Sequence, residues 1–526
     1  MEAVSIVQSK AEHLGQLGTS APKSGASPSV SWPRGWPLFA GAALLCGLML
    51  RLWMGRVFSQ NSGDALVYGG LAKNLVLHGQ FAITDGSGVL HSTLIRLPGY
   101  PLFLAAIFRI FGVENYTAVA YLQIALELIA CLLLADFVRR IGTPRAGLNT
   151  LWLSAMCPFT AIYAAAAYTE SLTLDCICLA LWSLERYLSA LRVKSGCDKS
   201  GCDKSGCDKF GCDKFGCPTL AGPLFFRLGW DGRIWLLLFT FAVSAAAMLR
   251  PDGALLAFAL WPALIFARGR AIQLRAALRP ALVCGVLAVL PFVPWAVRNW
   301  SVFHVLQPLA PRYATDPGES ANPGWQHWIK NWCLDFTCTS EFYWNAPDGP
   351  LSMDDLPGRA FDSPQQKLET LQTLANYNVD QTMSPEIDAR FEKLAEDRTR
   401  AHPFLTRLLP LGRLVDMTLR PRVENLPVEL RWWEYGRHWD ETIFSYFYGL
   451  ANLLYLGLGL AGLARRPRFW QYMVAYLVLR SLLLLMIEAP ETRYTLEFFP
   501  ILCAAAGIEL QWVWPRTFRR NAAAGA

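Results

Sequence analysis

Hydrophobic residues in this chain come in long blocks, and polar residues are confined to the gaps between them. The apolar stretches run at Trp36–Met54, Thr117–Phe137, Leu148–Ala167, Leu172–Leu184, Ile234–Leu249, Ala254–Phe266, Ala281–Val297, Ile443–Leu463, Trp470–Ile487 and Phe498–Val513. A helix needs roughly 20 apolar residues to cross a bilayer, and several of these blocks approach that length. The pattern predicts an all-α polytopic membrane protein with about ten transmembrane helices embedded in the lipid bilayer. Composition agrees: of 526 residues, 53% are hydrophobic and only 17% charged, with a mean hydropathy of +0.27. A soluble protein of this length divides into domains that carry more charge.

The polar segments divide the chain further. Residues 1–35 are rich in Ser, Gly and Pro and read as a disordered cytoplasmic tail. The first apolar stretch comes late and lacks a small-residue cleavage pattern after it, so it is a span and not a cleavable signal. Residues 36–297 form a transmembrane module with a first external loop at 57–116 and a repeat-rich insert at 193–225. An extracytoplasmic region at 298–440 follows, between spans 7 and 8, then C-terminal transmembrane helices at 441–515 and a short cytoplasmic tail at 516–526.

Charge orients these pieces. The formal net charge is +7, but the basic residues sit in short loops at 139–145, 185–233, 267–279, 464–468 and 516–520. With both termini inside, every one of these loops is cytoplasmic, as the positive-inside rule requires. No nucleic-acid surface is needed to explain the charge. The opposite face receives the loop 57–116, the turn Tyr168-Thr169-Glu170, "LRPDG" at Leu249–Gly253, the region 298–440, and "EAPETRY" at Glu488–Tyr494. Acids, arginines and tyrosines from distant segments thus meet at one membrane boundary.

In the first external loop, Asp64, Tyr68, Leu71, Ala72 and Leu75 recur at helical spacing and predict a short amphipathic surface helix. Asp64 lies at its N-terminal end, where an acid also serves as a simple cap. Further on, "IRLPGYPLF" (Ile95–Phe103) places Arg96 beside a Pro-Gly-Tyr-Pro turn, with Pro101 set to start the next surface helix. A guanidinium there suits either phosphate binding or interfacial anchoring. Glu127 and Arg480 fall inside apolar stretches. Charges in lipid are costly and usually paired, so the two are expected to contact each other or a polar cavity.

The external region contains "SPEIDARFEKLAEDRTRAH", with Ser384 as cap and Pro385 at the first helical position. "HPFLTRLLPLGRLVDMTLRPR" follows as a basic amphipathic stretch suited to the membrane surface. Of the 14 cysteines, five (Cys197, Cys202, Cys207, Cys212, Cys217) belong to a five-residue SGCDK-type repeat. Their spacing suits a soft metal, but expansion of a short repeat in a tolerant loop accounts for it more simply. Cys333 and Cys338 face the oxidising side and can close a small disulfide loop. Cys46, Cys131, Cys157, Cys176, Cys178, Cys284 and Cys503 sit in or near apolar runs and read as packing residues.

The acid after span one, the Tyr four residues on, the "AKNLVLHG" stretch and "RLPGYPLFLA" together resemble the polytopic GT-C glycosyltransferases. The resemblance is nearest to bacterial members akin to protein O-mannosyltransferases and lipid A aminoarabinose transferase (glycosyltransferase family 39 and relatives). It extends through about Val297 and returns at "RYTLEFFP". It implies a transferase that takes a sugar from a polyprenyl-phosphate carrier on the extracytoplasmic face of a bacterial plasma membrane. Asp64 is then the catalytic base and Glu170 a second acid. Arg96, Arg250 and Arg493, with Tyr68, bind the donor phosphate. Glu170 is expected to orient the acceptor or, with Asp64, to bind a divalent cation. Metal use is uneven in the family and the first loop lacks a paired Asp-x-Asp, so no metal ligand is assigned. With no nucleophile evident on the opposite face, a single inverting displacement is expected. Nothing in the sequence singles out a glycan, a lipid or a protein as the acceptor. The competing class is a glycolipid transporter or flippase, which places its polar residues near the bilayer midplane on broken helices. Here the polar clusters sit at span ends.

Overall fold

The computed structural model describes residues 32, 35–57, 63–199, 230–266, 274–319, 321–346, 349–429, 431, 433 and 439–513. Both expected tails, most of the five-residue repeat and the basic loop at 267–273 lie outside the described residues.

The chain begins with α1 (Trp36–Val57), then α2 (Asp64–His78), a small antiparallel hairpin of β1 (Ala82–Thr84) and β2 (Leu90–Ser92), and α3 (Gly99–Phe111). The bundle continues with α4 (Tyr116–Ile141), α5 (Pro144–Ala155), α6 (Pro158–Ala164), α7 (Thr169–Lys199) and α8 (Trp230–Leu249). After a single 3-10 turn come α9 (Leu255–Leu260), α10 (Pro262–Phe266), α11 (Leu274–Val289) and α12 (Phe292–Phe303). The external region supplies α13 (Pro323–Lys330), α14 (Pro364–Asp380), α15 (Pro385–Ala401) and α16 (Pro403–Leu419). The chain returns through α17 (Trp439–Ala464), α18 (Trp470–Leu484) and α19 (Phe499–Val513). The predicted all-α polytopic class is borne out, since the hairpin is the only sheet among the described residues.

Local chemistry sets the helix starts. Asn115 accepts from the Ala118 amide at 3.0 Å to cap α4, and Thr143 accepts from Ala146 at 3.2 Å to cap α5, with Pro144 at the first position. Ser384 caps α15 through the Ile387 amide at 3.3 Å, with Pro385 next to it, as the sequence predicts. The stretch 148–167 is broken where a continuous span was expected. Pro158 has no amide hydrogen and opens a new helix after Cys157, and α6 and α7 then meet at a bend of 118°.

Among the described residues, five helices are long and apolar enough to cross a bilayer, or six if the bent pair counts as one span. Pro251–Phe266 and Trp470–Leu484 are apolar but shorter, so helix length alone does not reach the expected ten. The bundle core lies where α4, α5, α7, α8, α17 and α19 pack together. Gly459 and Gly462 of α17 face Leu502 and Ala505 of α19, and a Cβ at Gly462 would collide with the Ala505 carbonyl. The missing side chains let these two backbones touch.

The external helices have a core of their own, including Trp325, Trp328, Trp332, Phe342, Phe391 and Leu394. Cys333 and Cys338 are joined in a disulfide, with Cα atoms 5.7 Å apart. Arg413 is buried and donates to the carbonyls of Lys330 at 2.7 Å and Cys333 at 3.3 Å, which fixes α16 to this core. The outer face of α16 exposes Phe404, Leu405, Leu408, Leu411, Val415 and Leu419, the stripe that the sequence reading lays on the membrane.

The two intramembrane charges do not contact each other. Glu127 accepts from Arg51 Nε at 2.7 Å, and both side chains are almost wholly buried. Arg51 also donates to the Gly47 carbonyl at 3.0 Å and the Ala155 carbonyl at 2.5 Å. Arg480 instead binds Asp252 and Glu497 at the site end of the bundle. The sequence pairing failed because Arg51, at the end of a basic-flanked span, was not recognised as buried. Glu127 also borders a small, mainly apolar cavity of about 30 Å³ lined by Leu134, Leu174 and Phe499 as well as Asp175.

Removing one member of a buried ion pair strands the other in a low-dielectric interior at a cost of about 3–5 kcal/mol, whereas replacing both is milder. Glu127→Leu or Arg51→Met alone is therefore expected to lower the thermal midpoint in detergent strongly, and the double replacement to recover most of the loss. A double variant as unstable as the sum of the singles would show that the pair is uncoupled.

Candidate active site

The site lies where α2, the loop before α3, the start of α7, the end of α8 and the segment before α19 meet. Asp64 is the first residue of α2, but its side chain makes no capping bond. Both carboxylate oxygens are used elsewhere: Oδ1 accepts from Arg96 Nη2 at 2.8 Å and Oδ2 from Arg493 Nη1 at 2.8 Å. Arg96 reaches this point from the Pro-Gly-Tyr-Pro turn. α3 begins at Gly99, two residues before the expected Pro101. A Cβ at Gly99 would lie 2.5 Å from the Met248 carbonyl, so only glycine lets the turn rest on the end of α8, next to Arg250. Tyr68 is one turn along α2. Its ring lies edge-on to Tyr100 at 5.1 Å between centroids and 5.9 Å from the Arg96 guanidinium carbon.

Glu170, in the first turn of α7, is buried and accepts from Arg250 Nη1 at 2.8 Å, with Arg493 Nη1 at 3.8 Å. Arg250 also lies 3.2 Å from Asp252 and 3.9 Å from Glu497. Arg480, fully buried, closes the end of the row by binding Asp252, Glu497 at 3.0 Å and the Tyr494 carbonyl at 3.1 Å. Glu491 holds Arg493 from its other edge and accepts from the Tyr494 hydroxyl. Arg422 steadies this segment by donating to the Thr492 carbonyl at 2.8 Å and to Thr495. The result is a continuous line of alternating charge, running Arg96, Asp64, Arg493, Glu170, Arg250, Asp252 and Arg480. Burial works to raise the Asp64 carboxyl, but Arg493 and Arg96 outweigh it and hold the group at about 2. Burial pushes the Tyr68 hydroxyl above its ordinary value.

All six residues singled out from the sequence meet here. Asp252, Glu491, Glu497, Arg480 and Tyr494 were missed as members. Four of them lie inside stretches already noted, "LRPDG", "EAPETRY" and "RYTLEFFP", and the signal was an acid within two or four residues of an arginine at a span end. The donor set does not suit a divalent cation, because Asp64 and Glu170 are both engaged by guanidiniums. Among the described residues no group of three or more His, Cys, Asp or Glu side chains is placed to hold one.

At the opposite end of the bundle, Glu185 lies 3.8 Å from Arg140 and 3.5 Å from Arg468. The basic loops at 139–145 and 464–468 thus share one end, away from the site.

A helical bundle thus brings arginines and carboxylates together at one end. Residues 96–196 match the family described as dolichyl-phosphate-mannose-protein mannosyltransferase. That segment holds Arg96 and Glu170, and its match is in line with the resemblance noted in the sequence. No curated protein sequence matches the chain. Among solved structures, it is similar to the archaeal oligosaccharyltransferase AglB from Archaeoglobus fulgidus, in complex with an inhibitory peptide and a dolichol-phosphate. The identity is 11%, the TM-score 0.47, and the likeness covers 94% of this chain and 53% of that one. It is also similar to ArnT from Cupriavidus metallidurans bound to undecaprenyl phosphate, at 13% identity and a TM-score of 0.36, over 90% of this chain and 77% of that one. The chain spans about half the length of the oligosaccharyltransferase.

Because the folded state holds the Asp64 carboxyl below its ordinary value, the charged acid stabilises the fold above about pH 4, and that contribution disappears as the pH falls toward about 2. Wild type is therefore expected to melt above Asp64→Asn at neutral pH, with the gap closing below about pH 4. A gap that is independent of pH across this window would show that Asp64 is not paired as described.

Proposed function

We propose that the protein is a membrane glycosyltransferase that moves a sugar from a polyprenyl-phosphate donor to an extracytoplasmic acceptor by a single inverting displacement. The observation that carries this reading is the Asp64 carboxylate set between Arg96 and Arg493, with Arg250 one acid further along. The reaction needs these two kinds of group at one point. As the acceptor oxygen forms its bond to the anomeric carbon, its proton passes to Asp64. The bond from that carbon to the phosphate oxygen breaks, and polyprenyl phosphate leaves with the electron pair and one more negative charge. Arg96, Arg493 and Arg250 face that developing charge, and Tyr68 supports Arg96 from beneath. Glu170 acts as a positioning residue that keeps Arg250 and Arg493 aimed at the same space.

The extracytoplasmic placement is supported by the basic loops gathered at the far end of the bundle. The acceptor, whether glycan, lipid or protein, is chosen by the external region above the site.

The test offers purified protein in nanodiscs a panel of polyprenyl-phosphate sugars and a membrane extract as acceptor source, and follows release of polyprenyl phosphate. Asp64→Asn is expected to lower turnover by about 10²–10⁴, the usual worth of a positioned base. Arg96→Ala is expected to lower it by about 10²–10³, as for a lost donor to a developing oxyanion. Retained configuration in the product would overturn the single displacement. Unaltered glycolipid crossing the vesicle membrane, with no donor turned over, would put a transporter in its place.

A further inference from the structure

We infer that Asp64 and the donor phosphate compete for the same two guanidiniums, so that arrival of the phosphate is what frees the Asp64 carboxylate to accept a proton. This rests on the transferase reading and adds to it the order in which the site becomes active.

The first argument is charge. Four guanidiniums in the site (Arg96, Arg250, Arg480 and Arg493) face five carboxyls (Asp64, Glu170, Asp252, Glu491 and Glu497). Each of these four guanidiniums already holds a carboxylate. A phosphate that binds arginine here must take it from a carboxylate already holding it.

The second argument is access. Arg480 and its partner Glu497 are sealed, with side-chain exposures of 0% and 2%. Asp64, Arg96 and Arg493 are the open end of the line, at 23%, 26% and 19%. An anion approaching from outside reaches these three first. Arg96 is also incompletely used: its Nη2 binds Asp64, while its Nε is buried and meets no protein acceptor. A guanidinium binds phosphate best through two parallel N–H groups, so Arg96 keeps one donor in reserve and exchanges the other.

The third argument is chemical. A carboxylate bridged by two guanidiniums is a poor proton acceptor, because both cations favour its charged form. In the resting site the base is therefore held inactive by the groups that must stabilise the leaving phosphate. Handing those groups to the phosphate solves both problems in one move. It also means that the carboxylate gains basicity only when a donor is in place, so that no proton is taken without a sugar to transfer.

Affinity for the phosphate itself tests this without any turnover. Undecaprenyl phosphate, free of sugar, is titrated into the full chain in nanodiscs and occupancy is read by native mass spectrometry. Competition predicts that Asp64→Asn, although it removes the base, binds undecaprenyl phosphate about tenfold more tightly than wild type, the scale of releasing two part-exposed charge pairs. Asp64→Ala is expected to behave alike, which covers a folding defect in either variant. Asp252→Asn lies two carboxyls further along the line and should change affinity less than about twofold. Equal or weaker binding by both Asp64 variants would overturn the inference while leaving the transferase reading intact. Equal tightening in Asp252→Asn would overturn it in favour of a general field effect. If wild type binds no undecaprenyl phosphate at all, the inference and the transferase reading fall together.

Discussion

The site depends on alternation of charge in a place where water is scarce. Each guanidinium between Arg96 and Arg480 touches at least one carboxyl, and the line crosses six segments at this end of the bundle. A single unpaired charge near a membrane interior costs several kcal/mol, so no member is dispensable on its own. The row therefore works as a fastener as well as a binding site. It draws the start of α2, the turn before α3 and the segment before α19 together, and the glycine at 99 lets the turn come close enough to the end of α8 for the row to close.

Much of this was legible in the sequence, for reasons that are local. The hydropathy blocks beginning at Trp36, Thr117 and Ile443 correspond within a few residues to helices beginning at Trp36, Tyr116 and Trp439, because a bilayer-crossing segment must satisfy all of its backbone bonds as a helix. Glu170, Arg250 and Arg493 lie near the ends of apolar blocks, where the alternation of sides places them together, whereas Asp64 and Arg96 lie within the first external loop and their roles came from the resemblance to the GT-C glycosyltransferases. What pairs with what was not legible. Asp64 and Arg493 are separated by 429 positions, and their contact depends on the rotation and tilt of helices that no local pattern records. Arg480 and Glu127 show the limit well. Sequence says that each charge in an apolar run needs a partner, and it cannot say which one, because that depends on the faces the helices turn to one another. The break before Pro158 had a clear marker in that proline, outweighed by the unbroken hydrophobicity around it.

The interior of the bundle divides its polar groups into two sets with different characters. The pair of Arg51 and Glu127 is sealed, satisfied by backbone carbonyls, and contributes to helix packing. The set at the site end is graded from sealed at Arg480 to open at Arg96. Rigidity at one end of that gradient and access at the other are what a binding site needs, since a fixed frame keeps the exposed groups in place between encounters.

The external helices are fastened to this frame just before Arg493. Thr339, beside the Cys333–Cys338 bridge, donates to the Pro490 carbonyl at 2.9 Å, and Lys330 donates to the Met486 carbonyl at 3.1 Å. Both anchor points lie within seven residues before Arg493 on the same short segment. The external region is thus bolted to the short segment that carries Arg493. A lineage that reshaped these helices to suit a new partner would carry the strain of each change to the Arg493 guanidinium, so that its history of specificity and its history of rate would be written in the same substitutions.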